Sequence, residues 1–141
     1  MATGPRLEIE IATKRYPGAG LPLFEQFALT VEPATTVALV GPSGVGKSTL
    51  LRLVGGIDAD FSGRIRIGDI DAGVAGAPGF VFQDARLLPW LTVLSNITEL
   101  IPSATAETAR AALARVGLAA HAHDYPHQLS GGMQRRVALA R

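Results

Sequence analysis

The chain of 141 residues contains no cysteine. That absence excludes a disulfide framework and a cysteine-ligated zinc site, and it suits the cytosol. Charge of one sign is equally scarce: 13 Lys and Arg stand against 12 Asp and Glu, a formal net charge of +1. Bulk electrostatics therefore give no case for nucleic acid or an anionic membrane as a partner. Long apolar runs are missing too. Gly, Pro or a charged residue breaks every one of them well short of the roughly 20 residues that a membrane-spanning helix needs. The N-terminal stretch MATGPRLEIEI has no basic flank leading into an apolar core, so no signal peptide is visible. The expectation is a chain soluble by itself, with no direct membrane insertion, that meets a membrane only through a partner.

What remains is a folding composition, 48% hydrophobic and 18% charged, of a length that suits one domain or part of a larger one. Leu7, Ile9 and Ile11 alternate with Glu8 and Glu10, which predicts a half-buried strand. Phe24 to Val31 reads as a second strand, and Thr35 to Val40 as a short strand buried on both faces. A helix pattern follows through Leu50, Leu51, Leu53 and Val54, ended by Gly55-Gly56. Ser62 to Asp69 alternates as an exposed strand, and Phe80 to Phe82 reads as another short one. From about Thr92 the spacing turns helical. Val93, Leu94, Ile97 and Leu100 form one helix stopped by Pro102, and Ser103 caps a second, Ala104 to Val116, closed by Gly117.

The strongest chemical signal is Gly41-Pro42-Ser43-Gly44-Val45-Gly46-Lys47-Ser48-Thr49, which matches G-x-x-x-x-G-K-[ST] between a buried strand and a helix. Its glycines let successive backbone N–H groups curl around an anion, and the helix start adds unpaired N–H groups and a positive dipole end. Lys47 would reach the terminal phosphates, Ser48 would ligate Mg2+ and Thr49 would hold the α-phosphate. The loop says nucleoside triphosphate, without saying which base. Ser130, Gly131 and Gly132 open a further helix pattern through Met133, Val137 and Ala140, and offer a second anion site of the same kind.

With the phosphate loop placed, Leu129-Ser130-Gly131-Gly132-Met133-Gln134 resembles the signature of the ATP-binding cassette (ABC) transporter ATPases. The resemblance spans nearly the whole chain and is most specific at GPSGVGKST (41–49), VFQDARLLPW (81–90) and PHQLSGGMQRRVALAR (126–141). It implies ATP and Mg2+ as ligands. Tyr16 then matches the aromatic that stacks on adenine, with an ordinary strand-end core tyrosine as the alternative. Gln83 matches the glutamine that contacts Mg2+ and the attacking water. Residues Leu129 to Gln134 would face ATP held on the phosphate loop of a second ATPase subunit, so that two chains sandwich two nucleotides. The resemblance also implies transmembrane permease subunits as partners and a cytoplasmic place on the inner face of the cell membrane.

The fold class expected is α/β: a P-loop core with an incomplete parallel sheet, an N-terminal antiparallel β-portion and a helical signature subdomain. Residues 1–83 would form the nucleotide-binding core and β-portion, and residues 84–141 the helical subdomain. The family's metal-holding acid and catalytic Glu follow the signature, at the end of an apolar strand, with a switch His later. Here no run of four apolar residues leads to an acid, and Asp58, Asp60 and Asp71 lie in turns. The chain is therefore read as truncated before that strand, with no catalytic residue of its own. Thr35–Val40 is then expected to lack its later neighbours and to expose apolar surface.

Other residues are set aside. His121, His123 and His127 fall in a turn without a carboxylate cluster, which argues against a metal site. Trp90 is either a partner contact or a local anchor. Arg64, Arg66, Arg135 and Arg136 read as solvated faces. Where the family usually has Gly-Glu before the buried strand, this chain has Pro33-Ala34-Thr35-Thr36, with no functional cost expected. The stretch VFQDARLLPWLTV looks most like the ATPases of nitrate, sulfonate and taurine importers. Two competitors to the importer ATPase stand beside it: a soluble ABC protein of DNA repair or translation, which inserted coiled coils or a second cassette would mark, and a non-catalytic nucleotide-binding remnant.

Overall fold

Alternation in the first residues produces strands where it predicts them. The computed structural model describes residues 4–72 and 78–141; residues 1–3, at the head of the N-terminal stretch, and 73–77 lie outside the described residues. The chain divides into two compact units, Met1–Gly79 and Phe80–Arg141.

In the first unit, β1 (Leu7–Lys14) pairs antiparallel with both β2 (Phe24–Val31) and β3 (Ser62–Ile67), and a two-residue β4 (Ile70–Asp71) closes the order β2-β1-β3-β4. Ile9 lies opposite Leu29 on one side and Ile65 on the other, so one face of the sheet is a row of branched apolar side chains. That face buries Ile9, Ile11 and Ile65 against Leu50 and Leu53 of α1 (Lys47–Val54). The other face is a charge ladder. Glu8 lies opposite Arg66 and Glu10 opposite Arg64, while Arg64 binds both carboxylate oxygens of Asp71 at 2.7 and 3.1 Å. Arg64 and Asp71 thus form an exposed fork, where simple solvation had been expected.

The alternation breaks once, with a consequence. Between Ile11 and Thr13 the register of β1 on β3 shifts by one residue. Such a bulge places two residues opposite one and reverses the inside-outside parity of the strand beyond it. Ala12 and Thr13 are both exposed, and Lys14, which strict alternation would turn outward, is only 1% exposed. Gly63 sits opposite the bulge at φ 133°, where an added Cβ would lie 2.1 Å from the Glu10 carbonyl oxygen. Only glycine fits there.

A lysine this deep needs partners. Its ammonium donates to Asp58 Oδ1 at 3.1 Å, to Asp60 Oδ2 at 3.3 Å and to the Asp60 carbonyl oxygen, all on the loop after α1. Burial alone would lower the Lys14 pKa, but the bonds to Asp58 and Asp60 outweigh it and hold the ammonium above its ordinary value. Burial likewise pushes Asp58 up, and the Asp60 backbone N–H and Lys14 overcome that push and hold the carboxyl below the ordinary 3.8. A depressed carboxyl contributes stability that is complete above its unfolded pKa of about 3.9 and disappears as pH falls through the lower folded value. Acid titration of unfolding free energy should therefore fall below about pH 4. In Asp58→Asn the slope should be shallower; an unchanged slope would remove Asp58 from the account.

Two strand expectations are not met. Thr35–Val40 has no ladder partner among the described residues, and Phe80–Phe82 is not a strand. A strand apolar on both faces is held by neighbours on both sides, and without them Val37 and Val40 are 49% and 92% exposed. Beside them Phe24, Phe27, Leu39 and Leu50 line an open apolar groove of about 580 Å3. The exposed apolar surface expected there is present. In the turn before it Ala34 holds φ 58°, a left-handed conformation that costs a non-glycine residue about 1 kcal/mol.

The second unit is helical. Val93 and Ile97 pack with Ala109 and Leu113 of α3 (Ala106–Arg115) and Val137 of α4 (Gly131–Ala140), all at or below 2% exposure. The expected helix at Val93–Leu100 is reduced to one turn, α2 (Ser95–Thr98), entered where Thr92 Oγ1 accepts from the Ser95 N–H at 3.2 Å. The cap of α3 is Thr105 rather than Ser103. Thr105 and Thr108 exchange reciprocal side-chain and backbone bonds, which start the helix two residues later than its composition suggests. Gly117 takes the expected left-handed position after it, at φ 71°. Arg136 is not merely solvated: it donates to the Val116 carbonyl at 3.0 Å, satisfying an end of α3.

Candidate phosphate-binding site

The loop from Gly41 to Gly46 delivers the chain into α1 through a left-handed residue. Gly46 has φ 104°, and a Cβ on it would come within 2.8 Å of the Phe24 ring. The Leu50 N–H donates to the Gly46 carbonyl at 2.8 Å, which sets the first helical turn. The N–H groups ahead of it have no partner within the helix. No side chain caps α1 and no acid lies in its first turn, which suits an anion there.

Lys47 folds back over this loop. Its ammonium donates to the carbonyls of Gly41 at 2.8 Å and Pro42 at 2.7 Å. A cation beside the N–H groups of a helix start is a combination that suits a polyphosphate. Ser48 is exposed beside it and Thr49 half-buried. The Tyr16 and Thr49 hydroxyl oxygens lie 3.1 Å apart, so Tyr16 stands against the loop's last residue, and it remains 39% exposed. A strand-end tyrosine buried in the core is therefore not what is found.

The second candidate lies in the helical unit. Ser130 caps α4, its hydroxyl accepting from the Met133 N–H at 3.3 Å. Gln134 is spent on local order, its amide donating to the carbonyls of Pro126 at 2.8 Å and Leu129 at 3.3 Å. Leu129 is buried, and Met133 packs on the helical core. The surface offered outward is Ser130, Gly131 and Gly132, where a Cβ on either glycine would meet nothing within 4 Å. Gln83 is exposed in the irregular segment that opens this unit. Nearby, Arg86 lies over the Phe82 ring at 3.9 Å, and Arg141 donates to the carbonyls of Arg86 and Ala85 at 3.2 and 3.4 Å. His121 pairs with Asp124 at 2.6 Å, and Tyr125 stacks with His127. Lys14 was missed by sequence reasoning. A Lys two residues before a candidate aromatic is a signal, but its inward turn depends on the bulge.

Trp90 is 69% exposed on a turn whose shape is fixed from below by Asn96. The fully buried Asn96 amide accepts from Leu88 N–H at 2.7 Å and donates to the carbonyls of Leu88, Leu91 and Thr92, each at 3.1 Å. No described helix is long and apolar enough to cross a membrane.

Comparison with known proteins agrees with this geometry. The family model "ABC transporter" matches residues 24–141. Among curated relatives, the aliphatic sulfonates import ATP-binding protein SsuB 1 of Paraburkholderia xenovorans is 50% identical over 115 residues, 82% of this chain and 34% of that protein. The SsuB protein of Cupriavidus necator is 44% identical over 144 residues, 99% of this chain and 47% of its own length. The chain thus spans about a third to a half of these curated relatives. Among solved structures, the dimeric post-hydrolysis state of the ATP-binding cassette MJ0796 bound to ADP and Pi aligns with a TM-score of 0.78 at 29% identity, over 95% of this chain and 67% of that one. The family match covers most of the sequence and the fold is that of a solved ATP-binding cassette: the chain belongs to the ABC transporter family.

Proposed function

We propose that the protein is the ATP-binding and ATP-hydrolysing subunit of an ABC importer, serving a solute of the sulfonate class. The observation that carries the reading is the Lys47 ammonium folded over Gly41 and Pro42 at the open N-terminus of α1. The residues fit a magnesium nucleotide. An ammonium held only by two exposed carbonyls, an uncapped helix start and two hydroxyls suit its charge and its oxygens.

In this reading Lys47 leaves the two carbonyls for the terminal phosphates, and Thr49 holds the α-phosphate. Tyr16 offers its exposed ring to the base. Ser48 and Gln83 would hold Mg2+, which would supply charge neutralisation to the phosphates. Leu129 to Gln134 of one protomer address the nucleotide on its partner, with Ser130, Gly131 and Gly132 as the contacting surface. Functionally the chain divides at Gln83, with residues 1–83 binding the nucleotide and residues 84–141 carrying the signature. The turn at Trp90 is a surface for the permease subunits, which place the protein on the inner face of the membrane. The sulfonate assignment is supported by the names of the relatives, and the dimer by the dimeric state of the solved cassette that this chain resembles.

The test is hydrolysis and transport by the full-length protein reconstituted with its permease subunits in vesicles. Mg2+-dependent ATP hydrolysis coupled to sulfonate uptake is expected. Full-length protein that binds no ATP would end this reading. The 141-residue chain by itself is expected to bind nucleotide without turning it over, because no apolar strand in it leads to a metal-holding acid. Contaminant-free turnover by that chain would show the acid to lie within it.

A further inference from the structure

We propose that Lys14 is a positioning residue for the nucleotide's base, its buried ammonium, locked by Asp58 and Asp60, holding the Tyr16 ring in the orientation that receives a purine. The proposal rests on the reading of Gly41–Thr49 as an ATP site with Tyr16 as its aromatic platform.

The geometry singles out Lys14 in three ways. Its Nζ lies 4.9 Å from the centroid of the Tyr16 ring, inside the roughly 6 Å reach of a cation–π contact. The ammonium does not wander, because Asp58 and Asp60 grip it at 3.1 and 3.3 Å and the side chain is 1% exposed. The pair also ties the end of β1 to α1 at both ends. Tyr16 reaches Thr49 in the first turn, while Lys14 reaches Asp58 and Asp60 just beyond the last.

Tyr16 needs such a hold. It is followed by Pro17-Gly18-Ala19-Gly20, all exposed, so the segment beyond it buries nothing that would anchor the ring. A free aromatic must be ordered when a base stacks on it, and that entropy is charged to binding. A ring already fixed by a cation at its side and a hydroxyl at its tip avoids the charge. The effect should fall chiefly on the base, because the hydrogen bonds of Lys14 go to Asp58 and Asp60 and none goes to Gly41–Thr49.

Inorganic triphosphate is therefore the discriminating ligand, since it has the phosphates and no base. Calorimetric titration of the full-length protein with ATP and with inorganic triphosphate, each with Mg2+, is compared for wild type, Lys14→Met, Tyr16→Ala and the double variant. In Lys14→Met the ATP affinity should fall on the order of fivefold while triphosphate affinity is retained. The double variant should bind ATP no more weakly than Tyr16→Ala, because the two residues act as one unit. Equal weakening toward both ligands, an unchanged ATP affinity, or additive losses would overturn the proposal. If Lys14→Met does not fold, Asp60→Asn carries the test, its side chain being 81% exposed. Its ATP-to-triphosphate affinity ratio should fall in the same direction, and an unchanged ratio overturns the proposal. A wild type that binds neither ligand refutes the ATP site itself, whereas one that binds both with a ratio indifferent to Lys14 refutes only the role of Lys14.

Discussion

Replacing Lys47 by alanine should abolish most nucleotide binding while leaving the fold intact. The ammonium holds two carbonyls, at 2.8 and 2.7 Å, in an exposed setting. Such bonds exchange readily with water and are each worth about 1 kcal/mol or less. With a triphosphate in place the same ammonium would make two charge-assisted bonds, each worth about 1.5–3 kcal/mol. The difference runs from about 1 to about 6 kcal/mol, with a mid-range of ~3 kcal/mol, a loss of affinity on the order of a hundredfold. Titration with magnesium ATP reads the loss, and urea unfolding should show a change within about 1 kcal/mol. Near-normal affinity in Lys47→Ala would mean that the anion is held elsewhere.

The largest stability loss is expected at Gly63. Alanine there must fit a methyl group 2.1 Å from the Glu10 carbonyl oxygen and 2.9 Å from Ile11 Cα, both backbone atoms of the strand it pairs with. Backbone in a ladder cannot step aside as a side-chain tip can, so β1 and β3 must part. We expect Gly63→Ala to cost about 3 kcal/mol or more. Gly18→Ala is the control. Gly18 also has a positive φ, 78°, but a Cβ there meets nothing within 4 Å, so its cost should be about 1 kcal/mol, that of the left-handed backbone alone. Equal losses in urea unfolding would show that conformation, rather than crowding, is what matters at Gly63. A second consequence distinguishes the mechanism. Because Gly63 accommodates the bulge that turns Lys14 inward, its replacement should also loosen Lys14 from Asp58 and shallow the acid dependence of stability.

Local pattern made some of this legible. The second strand falls on Phe24–Val31 and the signature helix begins behind Ser130, because alternation and capping are properties of a few consecutive residues. The start of α1 at Lys47 follows the spacing of Gly41–Thr49 for the same reason. What was hidden depends on residues distant in sequence. Thr35–Val40 reads as a strand from its composition, yet a ladder needs a neighbour, and none of the described residues provides it. The start of α3 was misplaced because Ser103 and Thr105 are both competent caps, and only the reciprocal bond from Thr108 decides between them. Lys14 was invisible because the one-residue shift at Ile11/Thr13 is a property of β1 and β3 together. Arg136 reads as a surface charge until the end of α3, twenty residues earlier, is seen to receive it. Asp58 and Asp60 were read as turn formers, which they are, since the Asp60 N–H binds Asp58 Oδ1 at 3.0 Å; their hold on Lys14 spans the unit and leaves no local trace.

The first two residues of α4 are glycine, and neither internal crowding nor a positive φ demands it. Alanine at Gly131 and Gly132 would strengthen the helix by about 0.5–1 kcal/mol apiece. The chain therefore forgoes stability for bareness at a spot its own architecture leaves vacant. Under the proposed pairing of two protomers, naked backbone at these two positions would let the partner's nucleotide approach closer than any side chain would permit.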